Sequence, residues 1–450
     1  MARSKLPISG KSEAVSETAK RAAASWSDGT TICVALSGGV DSLVLLHAVA
    51  ALRIAEQTRW TLIAHHVHHG LSPNADAWLL HCEATCAALK VPITTDRVYV
   101  DRKSRMGIEA AARAARYASL DNVDAHIVLL AHHARDQAET VLLQLLRGSG
   151  APGLAAMPFS AGRYERPLLG VPKAAITAYA TSHALTWLDD ESNAEVRFAR
   201  NRLRTQVWPV LIGAFPAAEI TLSRAASHQA DAAVLLEDLA SIDAENCVAS
   251  GALQLTAFNV LSRPRRANLL RYWLAKSCID VPGNETLREW LQQLTSDEPT
   301  QSICLQCADG YTTIRVYRGA AWVVREVPRW YARAWRGEPS LTLLGDRGEA
   351  GQVTSIDSQD ADALRLPLDS ENWTLRTREV GDTIELSPRS GRVTLKNIFQ
   401  NSAVPPWQRD SWPVLVCGTT VAAIVGIVTA SAFKVRFGEH GVNPKWKPGG

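Results

Sequence analysis

The chain has 450 residues, 46% of them hydrophobic and 21% charged, with a formal net charge of +3. That length holds about two or three domains, and the balance is that of a globular protein rather than a low-complexity or charge-driven chain. So mild a basicity does not by itself argue nucleic-acid binding, which must be read from local clusters. Met1–Lys20 is polar and lacks the apolar segment of a signal peptide. The eight cysteines are scattered, and together these features predict a cytoplasmic protein with reduced thiols.

Met1–Gly10 reads as a loose tail and Glu13–Trp26 as a helix. The apolar, β-branched run Thr31–Leu36 reads as a buried strand. It ends in Ser37-Gly38-Gly39-Val40-Asp41-Ser42 and continues as an apolar helix, Leu43–Leu52. A strand that feeds a helix through adjacent glycines is an anion site, because the backbone can approach a phosphate and the helix dipole favours its charge. The spacing is neither G-x-x-x-x-G-K-[ST] nor G-x-G-x-x-G. Ser37 and Ser42 can add hydroxyl hydrogen bonds, and Asp41 can hold a metal ion.

A second strand is predicted at Trp60–His69 and a third at Ala125–Ala131. Strands alternating with helices predict a doubly wound parallel sheet, which binds ligands at the carboxyl ends of its strands. Ser37–Ser42, His65–His69 and His132–Asp136 are therefore expected to face one crevice. His65, His66, His68 and His69 with Cys82 and Cys86 lack the spacing of a structural zinc site and read as packed side chains.

Glu109–Leu120 is a helix by propensity, with Arg113 and Arg116 on one face. The next helix runs from Asp136 to Arg147 and stops at Gly148. Asp136, Glu139 and Thr140 share its first turn, either as ordinary capping or as a negative site at a strand end. Arg166–Leu169 and Asp190–Asn193 read as loops. Arg197, Arg200, Arg202 and Arg204 then fall within eight residues, as phosphate contacts or as a solvated helix face.

Beyond Phe215 the composition shifts. Helices are predicted at Ile220–Cys247, Leu261–Lys276 and Arg288–Leu294, followed by strands at Ser302–Leu305, Thr312–Tyr317 and Ala321–Arg325. Cys304-Leu-Gln-Cys307 reads as core. Arg329–Gly351 reads as a linker. From Trp373 short strands and turns alternate, at Leu375–Arg378, Gly381–Leu386, Val414–Val416 and Val421–Val428. Pro413–Phe433 is uncharged, but its central Cys417-Gly-Thr-Thr420 turn favours two buried strands over a membrane span. The last eleven residues read as disordered. The domains expected are 1–215, a mainly helical module over 216–330, a linker over 331–372 and a small α+β domain over 373–450. No oligomeric state follows from the residues.

Together these motifs resemble the tRNA(Ile)-lysidine synthetase family, a branch of the ATP-pyrophosphatase loop enzymes. The resemblance rests on Ser37–Ser42, His68-His69-Gly70-Leu71, Gly107-Ile-Glu109 with Arg113 and Arg116-Tyr117, and His132–Thr140. It continues through Leu145–Gly150 with Gly153-Leu154, Arg166–Leu169, Asp190–Asn193 and Arg200–Arg204. In the C-terminal part it covers Arg376–Asp382, Leu395-Lys396, Val404–Trp407 and Arg409-Asp410. Two positions depart from the family pattern: Arg135 stands where a second acid usually precedes Asp136, and Ser72 where an arginine usually follows His-Gly-Leu.

The resemblance implies ATP-dependent ligation of free L-lysine to C2 of the wobble cytidine of the CAU-anticodon isoleucine tRNA, with no membrane association. The cytosine oxygen would attack the α-phosphate of ATP and release pyrophosphate, and the lysine ε-amino group would then displace AMP. It assigns the nucleotide to Ser37, Gly38, Gly39, Val40, Asp41 and Ser42, with Asp41 also a Mg²⁺ ligand. Asp41, Asp136 and Arg204 are the implied catalytic residues. Asp136 and Glu139 would take lysine, and Arg113, Arg116, Arg147, Arg166 and Arg200 the phosphates and activated base. Lys396 and Arg409, with Arg265 and Arg266, would reach tRNA away from the anticodon.

Three other readings fit less well. A tRNA thiolase of the same loop family calls for a cysteine pair near the crevice. A non-catalytic tRNA-binding protein would not need an intact loop. A small-molecule amide-forming ligase has no use for the arginine clusters.

Overall fold

The computed structural model describes residues 8–101, 107–188, 199–295, 303–325, 328–346, 348–358, 360–365, 373–387, 391–436 and 439–448. It forms two compact units, residues 1–237 and 238–450.

The first unit is built on a six-stranded sheet. Its strands are β1 (Thr31–Ala35), β2 (Thr61–His68), β3 (Ile93–Arg97), β4 (Ile127–Leu129), β5 (Ser160–Ala161) and β6 (Tyr164–Glu165), in the order β3-β2-β1-β4-β6-β5. All neighbours are parallel except the β5–β6 pair. The chain winds outward from β1 through β2 to β3, then returns to place β4 on the other side of β1. That reversal between β1 and β4 opens the crevice where such sheets take ligands. The three predicted strands are present. β3 escapes prediction because it is an edge strand whose residues are mostly half-exposed or exposed and polar.

Residues of β1 alternate between two cores, as a centrally placed strand requires. Ile32 and Val34 pack with α1 (Ile8–Ala23), α2 (Val40–Ala55) and, further along the chain, Ile176 and Tyr179. Cys33 and Ala35 pack on the opposite face with Leu120, Val128 and Leu130. Helices therefore cover both faces. α3 (Ala75–Leu89) follows β2, α4 (Ile108–Asp121) follows β3, and α5 (Ala134–Leu146) follows β4. A short helix α6 (Ala151–Leu154) precedes the β5–β6 hairpin, and α7 (Lys173–Ser182) follows it. α8 (Ala199–Arg202) runs through a π-helical turn, Leu203–Val207, into α9 (Trp208–Ala214). α10 (Ala218–Cys247) crosses from the first unit into the second.

The second unit begins with helices Leu255–Val260, Arg263–Lys276 and Asn284–Leu294, packed on a five-stranded sheet that includes Thr312–Tyr317 and Ala320–Arg325. Its C-terminal part is strand-rich. Pro413–Phe433 folds as two antiparallel strands, Val414–Cys417 and Thr420–Ile424, as the central turn predicts. No helix among the described residues is long and apolar enough to cross a membrane.

Two expectations fail here. The described residues of 331–372 are not a linker. They supply the strands Ser340–Gly345 and Gly348–Ser358, and Trp335, Leu343, Val353 and Leu364 lie in the same core as Leu375, Leu415 and Val442. Gly441–Pro448, within the last eleven residues, is not disordered either. It pairs with Gly348–Ser358 along its whole length. Gly351 makes room for it at φ +150°, because a Cβ there would collide with the Trp446 ring. The core reading of Cys304 and Cys307 holds for half the pair: Cys307 is buried and Cys304 is exposed.

Candidate active site

The phosphate-type loop connects β1 to α2 at the switch point. Gly38 takes φ +87°, a conformation that favours glycine, and a Cβ there would stand 3.3 Å from Cys82 Sγ. Ser42 is buried and organises the turn. Its hydroxyl oxygen accepts from the Ser37 backbone N–H at 3.2 Å, donates to Gly39 O at 3.0 Å and meets Ser37 Oγ at 3.1 Å. Gly39 is the N-cap of α2, and no side chain caps that helix. Its first-turn N–H groups therefore keep the capacity to bind an anion.

Asp41, in the first turn of α2, is nearly a third exposed at 31%. Lys173 Nζ lies 2.5 Å from Asp41 Oδ1, and His133 Nε2 lies 3.6 Å from the same oxygen. Burial alone would raise the Asp41 carboxyl. The nearby His133 and then the Lys173 ammonium outweigh it and hold the group below its ordinary range. An ionised carboxylate beside a phosphate-type loop fits Mg²⁺, which binds through one or two carboxylates together with substrate phosphates.

His133 caps α5. Its backbone N–H donates to Asp136 Oδ2 at 3.1 Å, and its ring Nδ1 accepts from the Arg135 N–H at 3.2 Å. The ring Nε2 lies 3.4 Å from Asp136 Oδ2 as well as 3.6 Å from Asp41. The histidine thus stands between the two carboxylates. Nothing beyond its place at a strand end marks it in the sequence.

Asp136 and Glu139 share a face of α5, as helical spacing predicts, but their oxygens are already engaged. Arg200 donates to Glu139 Oε2 at 2.9 Å and to Asp136 Oδ1 at 2.8 Å. Arg204 donates to Glu139 Oε1 at 2.7 Å and to Asp136 Oδ1 at 2.8 Å. Arg135 stacks over the Trp208 ring at 5.0 Å, with Nε 3.7 Å from Glu139 Oε1. Where the family pattern has an acid, this chain adds a third cation to a wholly buried glutamate. Burial would raise Asp136, yet the charges of His133, Arg200 and Arg204 bring it down to about 2. Desolvation, aided by Arg116, Arg166 and Arg200, pushes the neighbouring His132 down to about 3, against the pull of Asp136.

Of the remaining expected residues, Arg116 and Arg166 act on this cluster through His132. Arg113 is exposed on α4 with its guanidinium 4.9 Å from the Tyr117 ring centroid, and Arg116 is half-buried. Arg147 is exposed at the end of α5. Arg166 is buried and donates to Pro158 O at 2.8 Å, so it braces a loop. Asp190–Asn193 and Arg197 lie outside the described residues.

The histidines of β2 do not join the site. His65 bonds Thr94 and Ser119 at 2.8 and 2.9 Å, and His66 bonds Leu36 O at 2.9 Å. These bonds fix them in the sheet. Cys82 and Cys86 are fully buried, and burial pushes their thiols up to about 12 and about 11. Thiols so reluctant to ionise are poor sulfur-transfer groups.

In the second unit Lys396 is exposed on the helix Leu395–Asn401. Arg409 is buried instead, donating to Val404 O at 2.9 Å and to the Tyr317 hydroxyl at 3.3 Å, which ties it to the fold rather than to a surface. Arg265 is paired with the buried Asp243. A cleft of about 730 Å³ in this unit is lined by Arg315, Arg325, Trp330, Tyr331 and Trp407, among others.

The family model described as a PP-loop domain matches residues 12–211. Those of a TilS substrate binding domain and a TilS substrate C-terminal domain match residues 253–322 and 373–446. The chain is 36% identical over 430 residues to a tRNA(Ile)-lysidine synthase of Nitrosomonas europaea, covering 93% of this chain and 92% of that protein. It is 39% identical over 440 residues to the corresponding protein of Alkalilimnicola ehrlichii, covering 94% of this chain and 97% of that protein. Among solved structures, the U34-tRNA thiolase NcsA of Methanococcus maripaludis aligns with 49% of this chain and 78% of its own, at 16% identity and a TM-score of 0.41, too weak a likeness to bear on the chemistry. The order of the three matched domains and the identity sustained along the whole chain leave one conclusion: this chain belongs to the tRNA(Ile)-lysidine synthase family.

Proposed function

We propose that the protein uses ATP to join free L-lysine to C2 of the wobble cytidine in the CAU-anticodon isoleucine tRNA. The observation that carries this reading is the convergence of Asp41, His133, Asp136 and the Arg200–Arg204 pair at the end of a phosphate-type loop.

The Ser37–Ser42 loop and the start of α2 hold the pyrophosphate of ATP. Asp41 is the residue that would hold Mg²⁺, which when bound neutralises charge on the departing pyrophosphate. The cytosine O2 attacks the α-phosphorus, and the bond to pyrophosphate breaks. Arg200 and Arg204 are the cations beside this point. In the resting protein they neutralise Asp136 and Glu139, and in the reaction they turn toward the α-phosphate. That turn frees Asp136 to accept the lysine ammonium. A carboxyl held near 2 is too weak a base to take the proton, so Asp136 binds and orients. The ε-ammonium gives its proton to water, because His133 already accepts a backbone N–H at Nδ1 and faces two carboxylates with Nε2. The free amine then attacks C2, the C2–O bond breaks, and AMP leaves with that oxygen.

Residues 1–215 form the adenylation domain of this scheme, while the modules after it, the strands within 331–372 included, hold the body of the tRNA. The anticodon loop presents its bases unpaired, as a reaction at a base requires. Exposed Lys396 and the arginine- and aromatic-lined cleft of the second unit suit a phosphate backbone and unstacked bases. Eight free cysteines and a tRNA substrate agree with a reducing cytoplasm.

The test is incorporation of radiolabelled lysine into isoleucine and methionine tRNA transcripts that share the CAU anticodon, with and without ATP. Label on the isoleucine transcript alone, and only with ATP, is the expected result. AMP release without lysine incorporation would sink the choice of nucleophile, and neither product would sink the enzyme.

A further inference from the structure

Lys173 lies outside every motif by which the sequence announces its chemistry, yet it is the closest cation to Asp41. It opens α7 directly after Pro172, which serves as the N-cap, and its side chain is 29% exposed. A lysine in a first helical turn works against the helix dipole, so the helix itself does not select it. Its backbone N–H donates to Glu219 Oε1 at 2.7 Å, which fixes the root of the side chain. The ammonium then reaches across 132 positions of sequence to Asp41 Oδ1 at 2.5 Å. Val171, two residues earlier, accepts the Ala134 N–H at 3.1 Å. This joins the start of α7 to the start of α5, so Lys173 is aimed at the switch point by both of its neighbours.

We propose that Lys173 is the exchangeable countercation of the phosphate-type loop. In the resting protein it neutralises Asp41, occupying the place a divalent cation would take. With ATP and Mg²⁺ bound, its ammonium would pair with the pyrophosphate oxygens and Asp41 would be free to hold the metal. A compact charge on a four-carbon stem, anchored at its root and partly exposed at its tip, can make that short move. Lys173 keeps its covalent state throughout and acts by contact with the leaving pyrophosphate. This rests on the reading of Ser37–Ser42 as the site of ATP.

The experiment compares wild type with Lys173→Met and Lys173→Arg. Equilibrium affinities for ATP, inorganic pyrophosphate and AMP are measured at stepped Mg²⁺, together with thermal melting. One charge-assisted hydrogen bond corresponds to about a 10- to 100-fold change in affinity. Lys173→Met should therefore weaken ATP and pyrophosphate by that factor and leave AMP within about twofold. Without nucleotide it should bind Mg²⁺ more tightly, because Asp41 has lost its competitor, and Lys173→Arg should recover part of the pyrophosphate affinity. Equal weakening of ATP, pyrophosphate and AMP, or a lower melting temperature with all three affinities unchanged, would make Lys173 a structural tie and overturn the proposal. Wild type that binds neither ATP nor pyrophosphate would overturn the phosphate-loop reading itself, a failure distinct from that of the variant.

Discussion

The Ser37–Ser42 loop and the first turns of α5 sit at the ends of adjacent strands, yet they are in opposite states of readiness. The loop keeps its helix N-terminus uncapped and Ser37 exposed, so its donors are available to an incoming phosphate. The α5 turn is saturated. Glu139 is wholly buried, its oxygens and Asp136 Oδ1 are held by Arg200 and Arg204, Asp136 Oδ2 accepts the His133 backbone N–H, and Arg135 adds a third positive charge. A cationic amino acid meets a region with more arginines than carboxylates. The difference teaches an order of events: phosphate can bind first, and only the withdrawal of arginines toward it opens the acidic site to lysine.

Breaking the loop should have the largest effect. Asp41→Asn keeps the shape and removes the charge, so tRNA-dependent AMP release should fall between about 100- and 1,000-fold. The melting temperature, taken on the same samples, should fall only a little, through loss of the partly exposed Lys173 pair. Breaking the saturated turn should instead cost stability. Glu139→Gln leaves arginines facing an uncharged amide, and urea unfolding should show a loss of about 3 kcal/mol, the low end for a severed buried pair because the arginines keep partial access to water. Ser37→Ala, an exposed change in the loop, should shift stability by less than about 0.5 kcal/mol in the same assay. Should the two variants be equally destabilised, the contrast between the regions would collapse.

A smaller effect sharpens the loop side. Gly38→Ala forces a side chain into φ +87° and against Cys82, at a cost of about 1 to 2 kcal/mol, read as a lower urea midpoint with an unchanged slope. Acid titration sharpens the other side. His132 is held at about 3 in the fold against an ordinary 6.5, so the unfolded chain gains a proton first as pH drops below about 6.5. Its contribution is complete above that pH and is lost toward pH 3. Asp136, at about 2 against 3.8, adds a second loss from near pH 4 down to about 2. His132→Asn should reduce the loss in the upper window, to which the half-buried His47 and the buried His65 and His66 also contribute, and leave the lower one in place, as followed by denaturation midpoints across pH. Outside both regions, Lys396→Ala should weaken tRNA binding and lower its salt slope by about one, with ATP binding intact. Equal loss of both would remove Lys396 from the tRNA surface.

The legible parts of this molecule are those where local pattern and tertiary role agree. The run Thr31–Leu36 is apolar because it is central, and Gly38-Gly39 follows because the chain must turn tightly there. The α5 turn reads as acidic, but the arginines that saturate it lie more than 60 positions away, and no local signal fixes that pairing. Lys173 is hidden for the same reason. Errors at the other end of the chain have the opposite cause. Gly441–Pro448 holds two prolines, and 331–372 carries many turn residues, so each looks unstructured alone. Each becomes strand only through its partner, Gly348–Ser358 with Gly441–Pro448 across eight paired positions. Arg409 and Arg166 show that a positive charge in a motif can also brace the fold.

The most direct test of this order of events omits lysine. Protein, isoleucine tRNA transcript and ATP labelled at the α-phosphate are mixed, and the tRNA is recovered and counted. Label should appear on the tRNA as its adenylate, persist without lysine, and leave as AMP when lysine is added. Label that never reaches the tRNA, or that leaves ATP for lysine when no tRNA is present, would contradict the account.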